Sequence, residues 1–383
     1  MSREGCWKAE ESILVCVLSA CTHLGALDLG KCTHGYLLRN TSDQNIIMET
    51  SLIDMYIKCG CIEKGLCLFQ RMSSKNRLSY SVMISGLAMH RLGQEALRLF
   101  SEMLGQGLTP DDVVYVGVLS ACRQGLLVEE GLCYFDQMML EHGIQPTIQH
   151  YRCIVDLLGR ARSFEKAFGL IKLMPMEPKD AVWRSLLSSF KFHRNLEIGE
   201  MAARNLMQLG LDDRADYVML ANMYAETQRW NEVARVREMM ADRGFTQMPC
   251  FSSVEVKRKV HVFVSWDMSH PNREEIYEMI HQMEWQLKFE GYSPDTSRVL
   301  IDAEEDEKRQ KLRRHSQKLA LAFALIQTST EKPIRIVRNI RMCTDCHKYT
   351  KLISKIYSRK IRVRDRNVFH HFEDGTCSCE YDV

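Results

Sequence analysis

Along most of the chain, apolar residues recur at the i, i+3, i+4, i+7 spacing of one helix face. Between 76 and 110, Tyr80, Met83, Ile84 and Leu87 form one stripe, and after Gly93 the residues Ala96, Leu97, Leu99, Phe100 and Met103 form a second. Two amphipathic helices are expected there. The pattern repeats. Val17-Leu18-Ser19-Ala20-Cys21 returns as Val118-Leu119-Ser120-Ala121-Cys122, an offset of 101, and Ile53-Asp54-Met55 returns as Val155-Asp156-Leu157, an offset of 102. One offset shared by two sub-patterns implies a super-period of unequal units, near 10–44, 45–75, 76–110, 111–146 and 147–178. Gly107 with Pro110 and Gly143 with Pro146 mark two of the boundaries as helix stops. A helix pair with one apolar face cannot bury it alone, so the units must stack into an α-solenoid.

Helical stripes continue through 179–248, with Val182, Trp183, Leu186 and Leu187, then Tyr217, Leu220, Ala221, Met223 and Tyr224. Beyond Pro249 the period changes. Val254-Glu255-Val256 and Val260–Val264 alternate around Lys257-Arg258-Lys259 like a hairpin, and a helix with Ile276, Ile280, Met283 and Leu287 follows. Next come a helix over 307–326 with His315 on its apolar side, a strand at Ile334–Arg338, a helix from about Cys343 and a strand at Ile361–Arg364. The expected fold is mainly α, a solenoid of helical hairpins followed by a C-terminal α+β domain.

Composition adds exclusions. An apolar fraction of 45% excludes wholesale disorder, and a net charge of +2 gives no global nucleic-acid signature. Charge is local: from Lys332 to Arg366 the acidic residues are Asp345 and Asp365 alone. That run reads either as a solvated surface or as an RNA-facing patch. Most of the fifteen cysteines stand singly in apolar helical patterns, as reduced buried thiols do. No apolar run approaches the roughly 18 residues of a membrane helix. Neither a signal nor a transit peptide is evident at Met1, so the chain reads as part of a longer product.

The chemistry is concentrated in the last seventy residues. His315-Ser316-Gln317 and Cys343-Thr344-Asp345-Cys346 resemble the H-x-E…C-x-x-C signature of zinc nucleobase deaminases. His315, Cys343 and Cys346 would hold the metal and leave a fourth position open for water. Cysteines at a helix N-terminus favour thiolate. The general acid/base glutamate, however, is replaced by Gln317. His347, one of His370 or His371, Cys377 and Cys379 would complete a second, closed Cys2His2 site. Alternation places His370 with Val368 and Phe372, and His371 with Phe369, which leaves the choice open.

The alternating unit lengths, with Leu-Ser-Ala-Cys, Leu-Ile-Asp-Met-Tyr and Met-Ile-Ser-Gly-Leu in first helices, resemble plant pentatricopeptide repeat proteins of the PLS class. Residues 179–248 resemble the E1 and E2 motifs, and 249–288 the E+ region, although the junction Pro249-Cys250-Phe251-Ser252-Ser253 lacks the family's glycine and tryptophan. Residues 289–383 resemble the DYW deaminase domain, on Leu319–Phe323, Ile353-Ser354-Lys355, Phe369-His370-His371-Phe372 and Cys377-Ser378-Cys379. The departures are Gln317 and a C-terminus reading Glu380-Tyr381-Asp382-Val383. With residues 1–178 as the repeat array, the resemblance covers essentially the whole chain.

It implies single-stranded organellar RNA as partner, two zinc ions, and a mitochondrial or chloroplast setting. It also implies base reading by Thr50 with Asn76, for adenine, and Ser81 with Asp111, for guanine. Val15 and Val116 offer no polar group at the equivalent place. Two functions compete. One is a C-to-U editing specificity factor that recruits a deaminase in trans; the other is a zinc-dependent RNA cytidine deaminase acting in cis, opposed by Gln317. A non-RNA tetratricopeptide-like scaffold is the remoter alternative. No carboxylate cluster supports an endonuclease.

Overall fold

The structure is a computed structural model that describes residues 10–40, 45–193, 195–210, 213–244, 250–266, 268–296, 299, 304–365 and 368–379. Pro249, Asp302, Arg366 and the C-terminal residues 380–383 lie outside the described residues. The chain forms two compact units, one of residues 1–91 with 249–383 and one of 92–248.

Each of the five repeat stretches holds two helices: α1 (Glu11–Leu24) and α2 (Leu27–Asn40), α3 (Ile46–Lys58) and α4 (Ile62–Arg71), α5 (Arg77–Met89) and α6 (Gly93–Gly105), α7 (Asp112–Gly125) and α8 (Val128–Leu140), α9 (Ile148–Arg160) and α10 (Phe164–Lys172). The apolar stripes are buried as their spacing requires; Tyr80, Met83, Ile84 and Leu87 are all inside. Gly25 ends α1 in the left-handed region (φ 68°), and its missing side chain lets Val337 pack against it.

The second unit continues with α11 (Asp180–His193), α12 (Leu196–Gln208), α13 (Arg214–Glu226) and α14 (Trp230–Asp242). Two pairs of its first helices are tied by ion pairs whose carboxylates are buried. Arg123 on α7 donates to Asp156 on α9 at 2.9 Å, and Arg184 on α11 meets Asp216 on α13 at 2.9 Å. Among the described residues, no helix is long and apolar enough to cross a membrane.

The C-terminal part of the first unit is α+β. Strands β1 (Phe251–Val256), β2 (Lys259–Val264), β3 (Ile334–Arg338), β4 (Ile361–Asp365), β5 (Val368–Glu373) and β6 (Thr376–Cys377) form one sheet in the order β2-β1-β3-β4-β5-β6. Only β3 and β4 pair in parallel. The intervening α18 (Thr344–Ile356) makes the crossover between them. The 251–264 hairpin extends this sheet, because Ser253 pairs with Val337. Helices α15 (Arg273–Phe289), α17 (Ser316–Gln327) and α18 enclose a core with Ile334, Ile336, Ile361, Val363 and Phe372 on the sheet.

The helix expected over 307–326 is broken. It forms α16 (Glu305–Arg313) and α17, with His315 extended between them as N-cap (φ −65°, ψ 134°). The stop is imposed from a distance: the Arg314 carbonyl accepts from Trp266 N–H, and Ser316 N–H donates to Ser265 Oγ.

Part of the basic run turns inward, while Lys332, Arg341, Lys348, Lys355 and Lys360 stay exposed. Arg338 and Arg359 turn inward, onto Gln317 Oε1 and onto the carbonyls of Thr328 and Lys332 respectively. Arg362 donates to the Gly60 carbonyl. Arg364 donates to the carbonyls of Thr22 (2.9 Å), His23 (2.8 Å) and Lys58 (2.7 Å), which lie in the last turns of α1 and α3. A buried cation there satisfies orphan acceptors at the negative ends of two helix dipoles. Arg364→Ala is expected to lower the stability of this unit by about 2–5 kcal/mol, because one buried and two part-buried carbonyls lose a charged donor. Urea unfolding measures it; a loss under about 0.5 kcal/mol would show that these bonds are replaced by water.

Candidate functional site

Both metal-ligand sets assemble. His315, Cys343 and Cys346 place one ligand atom each within 4.8 Å of the others, and so do His347, His370, Cys377 and Cys379.

In the first set, His315 Nδ1 lies 3.3 Å from Cys346 Sγ and 3.6 Å from Cys343 Sγ. Tetrahedral zinc with Zn–S of about 2.3 Å and Zn–N of about 2.0 Å sets its donors roughly 3.5–3.8 Å apart. The donor set therefore fits. The helix break puts His315 at the start of α17, facing the start of α18. Cys343 is the N-cap of α18, and its sulfur accepts from Cys346 N–H at 3.4 Å. The hydrogen bond from Cys343 lowers the Cys346 thiol below its ordinary range, against the upward pull of burial.

In the second set, the sheet decides between the two histidines. Val363 faces His370 and Arg362 faces His371 across β4 and β5. Val363 belongs to the helix-covered core, so His370 turns toward α18, where His347 stands. His370 Nε2 meets Asp365 Oδ2 at 3.2 Å, and the Cys379 thiol is a second partner of the same buried ring. A ring oriented by a carboxylate and set beside a thiol of the same cluster is what a metal-ligating histidine presents. His347 Nε2 lies 2.8 Å from Cys379 Sγ, which is 3.1 Å from Cys377 Sγ.

His371 leaves the metal set and serves elsewhere. Its Nε2 lies 2.9 Å from His90 Nδ1, and His90 Nε2 lies 2.9 Å from the Ile57 carbonyl. Because that carbonyl can only accept, His90 carries its proton on Nε2 and His371 donates to Nδ1. Burial pushes His90 down to about 3, so it is neutral at physiological pH.

Gln317 is fully buried, and both ends of its amide are engaged. Oε1 accepts from Arg338 Nη1 at 2.6 Å, and Nε2 donates to Thr350 Oγ1 at 2.7 Å and to Met342 Sδ at 3.1 Å. Beside it, Lys318 and Asp345 form a buried ion pair at 2.8 Å, to which Tyr292 Oη donates at 2.6 Å.

The four base-reading candidates are placed differently. Thr50 and Ser81 are buried on α3 and α5. Asn76 caps α5 by accepting from Ser79 N–H at 3.0 Å, and Asp111 caps α7 by accepting from Val114 N–H at 3.0 Å. Sequence reasoning missed Arg338, Thr350 and Asp365. A buried glutamine needs partners, but nothing local in the sequence names them.

Similarity to known proteins agrees with this layout. The DYW family of nucleic acid deaminases matches residues 291–382, the E motif matches 193–255, and the PPR repeat matches 50–77 and 78–108. A pentatricopeptide repeat-containing protein of Arabidopsis thaliana is 53% identical over 373 residues, 97% of this chain and 62% of that protein. In the same plant, the chloroplastic pentatricopeptide repeat-containing protein ELI1 is 43% identical over 377 residues, 98% of this chain and 60% of that one. A relative named as mitochondrial is 43% identical over 363 residues, 95% and 55% respectively. The chain carries PPR repeats, an E motif and a DYW-type domain, and these relatives are pentatricopeptide repeat-containing proteins. The chain thus spans about three-fifths of the length of these curated relatives. A DYW-type domain implies zinc, which the first ligand set fits.

Proposed function

We propose that the chain is the specificity part of a C-to-U RNA-editing factor of a plant organelle, mitochondrion or chloroplast. Its repeats select an RNA site, its DYW-type domain holds two zinc ions without turning over, and a competent deaminase acts in trans. The observation that carries this reading is Gln317. At the position where the resemblance expects a glutamate stands an amide that cannot shuttle a proton, with both ends hydrogen-bonded. Bound zinc would supply a water of lowered pKa at the first site. His315, Cys343 and Cys346 would hold that ion; His347, His370, Cys377 and Cys379 would hold the other in a closed structural site.

The second reading, deamination in cis, is favoured by one observation. Among the described residues the first cluster has three ligands, the number that leaves a zinc position open.

For the repeats, Asn76 with Thr50 would read adenine and Asp111 with Ser81 guanine, in that order 5′ to 3′. Asn76→Asp is expected to shift preference at the first position from adenine toward guanine by about tenfold, and Asp111→Asn to do the reverse at the second. A correct polar pairing is worth roughly 1–3 kcal/mol. Binding to single-stranded RNAs differing at these two bases measures both. Unchanged preference in both variants would refute the base assignment. Adding this chain to a competent DYW-type deaminase and the matching RNA should raise uridine formation; no rise would refute recruitment.

A further inference from the structure

We infer that Gln317 is a positioning residue of the first metal centre: its amide braces the helix that starts at His315 against the helix that carries Cys343 and Cys346. The inference rests on the zinc reading above and is independent of turnover.

The three ligands come from two helix starts that share no local sequence. His315 precedes α17, and Cys343 and Cys346 open α18. What keeps a histidine aligned with sulfurs on another helix must itself cross between them. Gln317 does so one residue into α17. Its Nε2 donates to Thr350 Oγ1 on α18, and the Thr350 hydroxyl donates onward to the Cys346 carbonyl at 2.7 Å. Because the threonine proton is spent on that carbonyl, its oxygen must accept, so the nitrogen end of the amide faces it. Arg338, at the end of β3, donates to the oxygen end. Donor and acceptor are thus assigned from both sides. The Met342 sulfur, next to Cys343, receives the other N–H. The side chain therefore joins α17, β3, α18 and the loop leading to Cys343, all with no exposed surface of its own.

A carboxylate in the same place keeps the Arg338 bond, and Thr350 can turn its proton toward it. Glutamate should therefore preserve most of the brace, whereas leucine abolishes it, taking the amide acceptor from Arg338 and the amide donor from Thr350 Oγ1. Groups that orient metal ligands typically change metal affinity 10–100-fold when removed.

The test uses the full zinc-loaded chain and follows zinc release to a chromophoric chelator. Two release phases are expected, one per ion. Gln317→Leu should accelerate one phase at least tenfold and leave the other within twofold, and Thr350→Val should accelerate the same phase less. Gln317→Glu should release zinc within about threefold of the parent, a rescue by the nearest acidic analogue. In the cobalt-substituted chain, Gln317→Leu should shift the visible bands of that one site. Ile280→Ala, a core substitution on α15, should lower the melting temperature without moving either readout. Parent-like release in both Gln317→Leu and Thr350→Val would overturn the inference, as would equal acceleration by Ile280→Ala. A chain holding no zinc at all would instead refute the zinc reading. If Gln317→Leu fails to fold, Thr350→Val alone decides.

Discussion

Gln317→Glu is expected to convert an idle zinc domain into a slow cytidine deaminase. The parent has the metal ligands and an inward-facing side chain of the same shape, and lacks the group that takes and returns a proton. General acid–base groups contribute on the order of 10²–10⁴ in rate. The variant should therefore form uridine at about 10²-fold or more above the parent on RNA carrying the matching site. The gain should fall short of a full restoration, because Arg338 and Thr350 hold the residue in a network built around an amide. Uridine quantified by primer extension reads it out. A variant that keeps its zinc and stays at the parent's background would show that proton transfer at position 317 is not what the chain lacks.

Metal removal should have the largest effect on stability. The second ligand set joins α18 through His347 to β5 through His370 and to the last described turns through Cys377 and Cys379. Besides the metal set, that segment is held among the described residues by a two-residue strand on β5 and by hydrogen bonds between Ser378 and His371 and from Gly375 to Ser354. Structural zinc contributes folding free energy directly, apparent values reaching about 10–16 kcal/mol in zinc-finger peptides. Even ~4 kcal/mol would move the midpoint of a unit of this size by about 8–16 °C. Chelation should produce at least that fall in a calorimetric scan, reversed by zinc, and Cys379→Ser should reproduce most of it with one ion still bound. An unchanged midpoint in chain verified as metal-free would contradict a structural role.

Much of this was legible in the sequence because it rests on local periodicity. The helix pairs of the repeats follow from apolar stripes such as Tyr80–Leu87, and the ligand sets from short motifs such as Cys343-Thr344-Asp345-Cys346-His347 and Cys377-Ser378-Cys379. What was not legible depends on distant partners. The stripe around Leu312 and Leu319 runs through His315 without a stop signal, and the break comes from Ser265 and Trp266. Alternation separates His370 from His371 but cannot say which face carries α18. The basic run could be counted but not aimed: Arg364 finds its acceptors more than three hundred residues upstream, near the start of the chain. The partners of Gln317 lie 21 and 33 residues away, so the substitution reads as a loss in the sequence and as a brace in the structure.

On the function proposed above, metal binding and RNA selection are separate from turnover in this chain. The most direct test is the parent protein, zinc-loaded and incubated alone with a single-stranded RNA that it binds and that carries a cytidine at the matching site. Bound RNA and no uridine above the level seen without protein are expected. Robust uridine formation by the unaltered chain would contradict the proposed function and establish deamination in cis.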